Sequence, residues 1–350
     1  MHTTRTLHND HPHDTDVHAE PEERSMTAVV QHRYGPSAVL ELSEIPRPAV
    51  GDHDVLVRVG AAGVDRGVWH LMTGRPYLIR LMGYGLTRPK QPIPGADVAG
   101  RVVARGDEVT RFAVGDEVFG IASGSFAEYA VAKESKLAAK PRNTSFEQAA
   151  ASTISGITAL QALTTVGRIE PGRHVLVIGA SGGVGSFAVQ LAKALGATVT
   201  GVASTAKLDS VRALGADHVV DYTTTEVDDT GRRYDLVVDI GGRNPLRRLR
   251  RALTSDGTLV IVGGEDGDRL TGGIGRQLRA AILSPFVAQR LAFFVSSESL
   301  DDIETLAAHL GDGSVVPAVD RCYPLRQTPD AIRAMEAGDV QGKAVITVRA

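Results

Sequence analysis

The sequence predicts an α/β chain in two parts, a β-rich region followed by a doubly wound, six-stranded parallel sheet, and three observations predict it. From Met26 to about Arg142, short runs of β-branched and aliphatic residues are cut by glycine and proline. From about Thr144, strand-like runs alternate with helix-like ones. At the first alternation stands "VIGASGGVGSF", a glycine-spaced turn between a buried strand and an amphipathic helix.

Residues 1–25 are polar and nearly free of bulky aliphatics, so they bury too little surface to offset their ordering entropy and are expected to be disordered. Their His2, His8, His11, His13 and His18 are irregularly spaced, and a flexible tail is expected rather than a metal site. A first domain over 26–143 contains "TAVVQ", "AVLEL", "DVLVRVGAAGV", "DVAGRVVARG", "DEVFGI" and "AEYAVA". Turn signals such as "RPAVGDHD" separate them, which reads as a barrel or sandwich. A second domain over 144–297 opens with "SFEQAAASTISGITALQAL", with Thr144 or Ser145 as N-cap and Glu147 in the first turn. Its strands are "HVLVI", "TVTGV", "HVVDY", "DLVVDI", "TLVIVGG" and "LAFFVSS". Helices such as "SFAVQLAKAL", "AKLDSVRAL" and "NPLRRLRRAL" separate them. Residues 298–350 end in "GKAVITVRA", a strand expected to return to the first domain.

Composition narrows the function classes. In 350 residues, 43% are hydrophobic and 23% charged, and the formal net charge of -3 gives no general pull toward nucleic acid or anionic membrane. No apolar run reaches the ~20 residues of a membrane span. The single cysteine, Cys322, excludes an internal disulfide and a thiolate zinc cluster. With no apolar leader at the start, a cytoplasmic location is expected.

The glycine turn carries two chemistries. Gly179, Ser181 and Gly183 fit the G-x-S-x-G elbow of a serine hydrolase, with Asp239 and His309 as possible partners. Gly179, Gly182 and Gly185 fit a dinucleotide fingerprint, and the strand before and helix after are the context it requires. The second reading explains every glycine. Gly179 permits the tight turn, Gly182 and Gly183 let phosphate approach the main chain, and Gly185 lets the helix pack on the sheet. The strand "TVTGV" ends in "ASTAKLDS" with no acid before Asp209, while Ser204, Thr205 and Lys207 offer hydroxyls and a cation. That combination favours NADP(H) over NAD(H).

With these pieces in this order, the chain from Met26 onward resembles a medium-chain dehydrogenase/reductase of the zinc-independent quinone oxidoreductase branch. The resemblance rests on "AAGVDRGVWHLMTG", "PIPGADVAGRVVARGDEVTRFAVGDEVFG", "GSFAEYAVA", "VLVIGASGGVGSFAVQLAKALGATVTGVAST", "LGADHVVDY" and "GKAVITV". It implies a GroES-like catalytic domain, a Rossmann domain, a cleft between them and, commonly, a homodimer. It places Gly182, Gly183 and Val184 on the pyrophosphate and Ser204, Lys207 and Tyr222 around the 2′-phosphate. Lys343 approaches the same cleft.

The resemblance also fixes where a catalytic zinc would be held. Those positions are Asp65, Ala96–Asp97 and the ligand-poor "AAASTISG", and the four-cysteine lobe is absent. Even with His70, two carboxylates make a weak zinc site, so no metal is expected. Zinc-dependent relatives use the metal to acidify an alcohol. A quinone or enone instead accepts hydride at a conjugated carbon and needs alignment with the nicotinamide plus a proton. The expected activity is therefore NADPH-dependent reduction of a quinone or α,β-unsaturated carbonyl. The alternatives are an NADP-dependent alcohol/aldehyde dehydrogenase and a non-enzymatic NADPH-binding protein. Asp65, where relatives carry Asn, His70 and Tyr84 are the candidate catalytic residues, with Asp65 expected to be a proton donor or a structural carboxylate paired with Arg66. The apolar, basic "RPYLIRLMGYGLTRPK" is expected to cover the cleft mouth.

Overall fold

The structure, a computed structural model, describes residues 25–263 and 272–348. The N-terminal histidines and the disorder expected of them lie outside the described residues, although Ser25 already opens the first strand.

The first part contains β1 (Ser25–Val30), β2 (Glu41–Pro46), β3 (Asp54–Val64), α1 (Arg66–Thr73), β4 (Asp97–Arg105), β5 (Glu117–Ile121), β6 (Tyr129–Lys133) and β7 (Leu137–Ala139). Then follow α2 (Phe146–Ala150), α3 (Thr153–Gln161), β8 (His174–Ile178), α4 (Gly183–Ala194), β9 (Thr198–Ala203) and α5 (Leu208–Ala213). They continue into β10 (His218–Asp221), β11 (Tyr234–Asp239), α6 (Leu246–Ala252), β12 (Leu253–Ile261), α7 (Ile274–Leu283) and β13 (Arg290–Phe293). The chain closes with α8 (Leu300–Gly311), β14 (Val319–Pro324), α9 (Thr328–Ala337) and β15 (Lys343–Thr347).

The six strands read from the alternating pattern form one parallel sheet in the order β10-β9-β8-β11-β12-β13. The order reverses beside β8, the topological switch point where such sheets bind ligands. β8 is a five-residue apolar run, and Val175, Leu176 and Val177 are fully buried because helices cover both of its faces. A second, seven-stranded sheet runs β14-β15-β3-β4-β5-β7, with β6 on β3. β15 pairs antiparallel with β3, Ala344 opposite Val64, so the last strand returns to the sheet of the first part, between β14 and β3. One apolar core joins the two sheets, from Ala99, Phe119 and Ile121 through Ile157 and Leu160 to Val177 and Phe187.

The long helical stretch after Thr144 is two helices. Ser145 caps α2 with a full capping box to Gln148, which settles the choice between Thr144 and Ser145. The break before α3 has a tertiary cause. Ser152 makes no side-chain cap, and the exposed N–H of Ile154 is taken instead by Asp97 Oδ1 of β4 at 2.8 Å.

Candidate active site

The glycine turn leaves β8 and enters α4. Gly179 has φ +87°, a conformation glycine adopts without strain, and Gly182 is the N-cap of α4 without a side-chain cap. The N–H groups of Gly183, Val184 and Gly185 therefore start the helix without partners inside it. A Cβ on Gly185 would stand 2.1 Å from the Gly179 carbonyl oxygen, so the turn closes only on a bare backbone. The residues present fit a pyrophosphate: a flat cradle of donors at the positive end of a twelve-residue helix. Asp239 and His309 form no triad with Ser181. Asp239 is buried against Arg276 at 2.6 Å, and the His309 ring bonds Ser314.

Lys343, the first residue of β15, meets this turn from the other sheet. Its Cδ would lie 2.9 Å from a Cβ on Gly183, and Gly342 N–H donates to the Ser181 carbonyl at 2.8 Å. Its ammonium donates to Asp97 Oδ2 at 3.3 Å, and both side chains are almost fully buried. Burial pushes the Asp97 carboxyl up to about 7; Lys343 pulls it down and Asp65 pushes it further up.

Asp65 is the N-cap of α1, its Oδ1 accepting from Val68 N–H at 3.0 Å, while its buried Oδ2 has no hydrogen-bond partner. His70 lies in the last turn of α1, half-buried, with Nδ1 2.7 Å from the Arg75 carbonyl oxygen. Among the described residues no group of three His, Cys, Asp or Glu side chains could hold a metal. The donor set at the expected zinc position is two carboxylates beside an ammonium, which does not fit zinc.

The apolar segment after α1 forms one wide helical turn, Arg80–Tyr84, kinked at Gly83 with φ 104°. Arg80 is held between the Tyr34 and Tyr77 rings and donates to the Gly74 carbonyl, anchoring the base. Pro76 packs on Gly272 of the second part, so the segment reaches across from one part to the other. Leu81, Met82 and Tyr84 stay exposed rather than packed on the barrel.

The turns after β9 and β10 hold a carboxylate that the sequence reading did not name, Asp221. Thr205 donates to Asp221 Oδ2, and Thr223 donates through both its hydroxyl and its N–H to Oδ1. These bonds, that from Thr205 foremost, hold the Asp221 carboxyl below the usual range. Asp221 ends β10, in register with Ala203 of β9. The sequence reading found no acid along β9 before Asp209; this carboxylate stands on the neighbouring strand, and only the order β10-β9 brings it beside the end of β9. Lys207 does not reach into an open phosphate site here. Its ammonium donates to the carbonyls of Gly338 at 2.7 Å and Val340 at 3.1 Å, just beyond α9. Ser204 precedes a short helical turn, half-buried, and Tyr222 is about half exposed.

The chain is similar in sequence and fold to known proteins. Residues 51–142 match the alcohol dehydrogenase GroES-like domain and residues 214–346 the zinc-binding dehydrogenase family. The chain is 31% identical over 339 residues to a chloroplast envelope quinone oxidoreductase homolog of Arabidopsis thaliana, covering 92% of this chain and 98% of that one. The chain is a medium-chain dehydrogenase/reductase. It belongs to the quinone oxidoreductase-like branch and is an oxidoreductase with the GroES-like and Rossmann-type parts of that family. An NADPH-dependent alkenal/one oxidoreductase of A. thaliana is 32% identical to this medium-chain enzyme over 92% of its length and 80% of its own. The Escherichia coli quinone oxidoreductase complexed with NADPH superposes with a TM-score of 0.78 at 25% identity, over 92% of this chain and 99% of that one. The site accordingly serves a nicotinamide coenzyme. No helix among the described residues is long and apolar enough to cross a membrane.

Proposed function

We propose that this enzyme transfers a hydride from NADPH to a quinone or α,β-unsaturated carbonyl, without zinc and as a homodimer. One observation carries the reading: the bare-backbone turn at the head of α4 faces a buried lysine where metal-dependent relatives would keep a cation. The names of the relatives support the acceptor class. When bound, the coenzyme supplies the hydride, and this chain's residues hold and shield it. The N–H groups of Gly183, Val184 and Gly185 bind the pyrophosphate, with Gly179, Ser181 and Gly182 shaping the turn through the Gly182 N–H bond to the Gly179 carbonyl at 3.1 Å. Ser204, Thr205, Lys207 and Tyr222 surround the adenosine ribose, and Lys343 closes the inner side.

The apolar Leu81 and Met82 exclude water from the cleft mouth. The proton is assigned to Tyr84. Asp65 is spent on the α1 cap and His70 Nδ1 on the Arg75 carbonyl, whereas the Tyr84 hydroxyl makes no hydrogen bond among the described residues. The second copy covers β13, one of the two edge strands of the six-stranded sheet, beside exposed Phe293 and Val295.

Turnover with NADPH and with NADH over a panel of quinones, enones and aldehydes, with metal analysis of the same sample, tests the reading. Reduction of quinones or enones by metal-free protein is expected. Turnover of aldehydes alone would favour the alcohol dehydrogenase reading, and coenzyme binding without any turnover a non-enzymatic one.

A further inference from the structure

Three ionisable side chains are buried together where β3, β4 and β15 meet, and only two of their charges cancel. Asp97 opens β4, Asp65 follows β3 and Lys343 opens β15. Asp97 and Lys343 are paired at 3.3 Å with 0% and 2% of their side chains exposed. Asp65 is 8% exposed, and its Oδ2 is buried without a partner. With all three ionised, the interior would hold one uncompensated negative charge, a costly arrangement away from water. There is little space for relief. A Cβ on Gly63 would stand 2.9 Å from Asp97 Oδ2 and 2.3 Å from the Ala150 carbonyl oxygen.

The ammonium has a second destination. The Lys343 side chain runs past Gly183, the first residue of α4, whose free N–H groups point at the same place. A phosphate there offers the ammonium an anion on the solvent side of Asp97, and charge-assisted bonds to phosphate are strong.

We propose that Asp97 is a positioning residue that holds the Lys343 ammonium at the head of α4, and that Asp97, with the Asp65 carboxylate beside it, takes up one proton when the coenzyme's pyrophosphate draws that ammonium away. This rests on the coenzyme reading given above. The groups facing Asp97 limit the alternatives. β15 brings Lys343 and the end of β3 brings Asp65. α3 offers the Ile154 N–H, α2 brings the Ala150 carbonyl beside Gly63, and β5 pairs apolar Ile121 with Asp97 in register. Without Lys343, nothing ionisable remains to keep Asp97 charged, and Asp65 opposes its charge. In the free enzyme burial has already raised Asp97 to about 7 against the pull of Lys343. Removing that pull raises it again, so a proton enters from solvent at pH values where the free enzyme has lost it.

Titration calorimetry of the full chain with NADPH, in buffers of differing ionisation enthalpy, counts that proton directly. At about pH 6 Asp97 is already protonated and uptake is small; at about pH 8 uptake approaches one proton per coenzyme. In Asp97→Asn the uptake is expected to vanish at both pH values, with coenzyme still bound. In Lys343→Gln no ammonium is left to leave, so uptake vanishes there too. In Asp65→Asn the uptake persists, and its pH dependence moves to lower pH. Melting curves identify any variant that does not fold, and the remaining variants then decide. Wild-type protein that binds NADPH with no uptake at about pH 8, or equal uptake in Asp97→Asn, would overturn the proposal. Failure to bind either NADPH or NADH would instead overturn the coenzyme reading, and this inference with it.

Discussion

Lys343 and Lys207 are the two lysines proposed to meet the coenzyme, and their surroundings differ. Lys343 is buried between sheets against an equally buried carboxylate. Lys207 stands half-buried, its ammonium on two main-chain carbonyls past α9. Sequence reading assigns both to the coenzyme because both are cations near a phosphate motif. The structure separates an interior charge, tied to the titration of its neighbours, from a peripheral one that can exchange partners with water. The inner end should therefore answer to packing and pH, and the outer end to coenzyme charge.

The largest effect is expected at the inner end's backbone. In Gly185→Val the new side chain begins 2.1 Å from the Gly179 carbonyl oxygen, so the turn must open. Overpacking of this kind costs about 1–3 kcal/mol, and coenzyme binding should be lost because the phosphate donors move with the turn. Near-normal melting together with normal NADPH affinity would show that the turn is not the binding element.

Next comes the pH dependence of stability. The folded pKa of Asp97 is raised from the ordinary carboxylate value of 3.8 to about 7, chiefly by burial. Between those values the folded state holds a proton that the unfolded state releases. Stability from this group is therefore greatest at low pH and falls as pH rises toward the folded value. Asp97→Asn keeps the shape without the titration. Relative to wild type it should gain thermal stability progressively from about pH 4 to about pH 7 and level off above that. A difference in melting temperature that stays constant with pH would contradict the burial of that charge.

This contrast also marks how far the sequence reached. The two-part α/β fold, the six parallel strands and the glycine turn were legible because each is local: β-branched runs, periodic helices and a fixed glycine spacing. Asp97 and Lys343 are 246 positions apart and meet only because β15 returns to β3. Asp221 reaches Thr205 only because β10 lies beside β9. Asp65 was legible as a carboxylate in the right loop, and its structural side is the α1 cap. Local chemistry writes elements and turns into a sequence; the partners of a charge are written by topology.

A smaller effect is expected at Lys207. Lys207→Met removes two hydrogen bonds at a half-exposed site, together worth about 1 kcal/mol. Lys207→Glu should weaken NADPH binding by about tenfold more than NADH binding. Equal loss for both coenzymes would mean that Lys207 only straps α9 to the nucleotide-binding part.

The smallest effect, and the one that sharpens the outer end most, is expected at Asp221. Its carboxylate is held ionised by Thr205 and Thr223, and Thr205 is one of the residues proposed to surround the adenosine ribose. An ionised carboxylate welcomes a ribose diol and opposes a phosphate, so Lys207 and Asp221 pull coenzyme choice in opposite directions. Asp221→Asn keeps an acceptor for Thr205 and removes the charge, so the fold should be nearly indifferent. The ratio of NADPH to NADH affinity should rise by about a few fold, since one charge is removed at a solvent-exposed site. If the ratio instead stays level, while Lys207→Glu lowers it, then Asp221 points away from the ribose and the cation alone sets the preference.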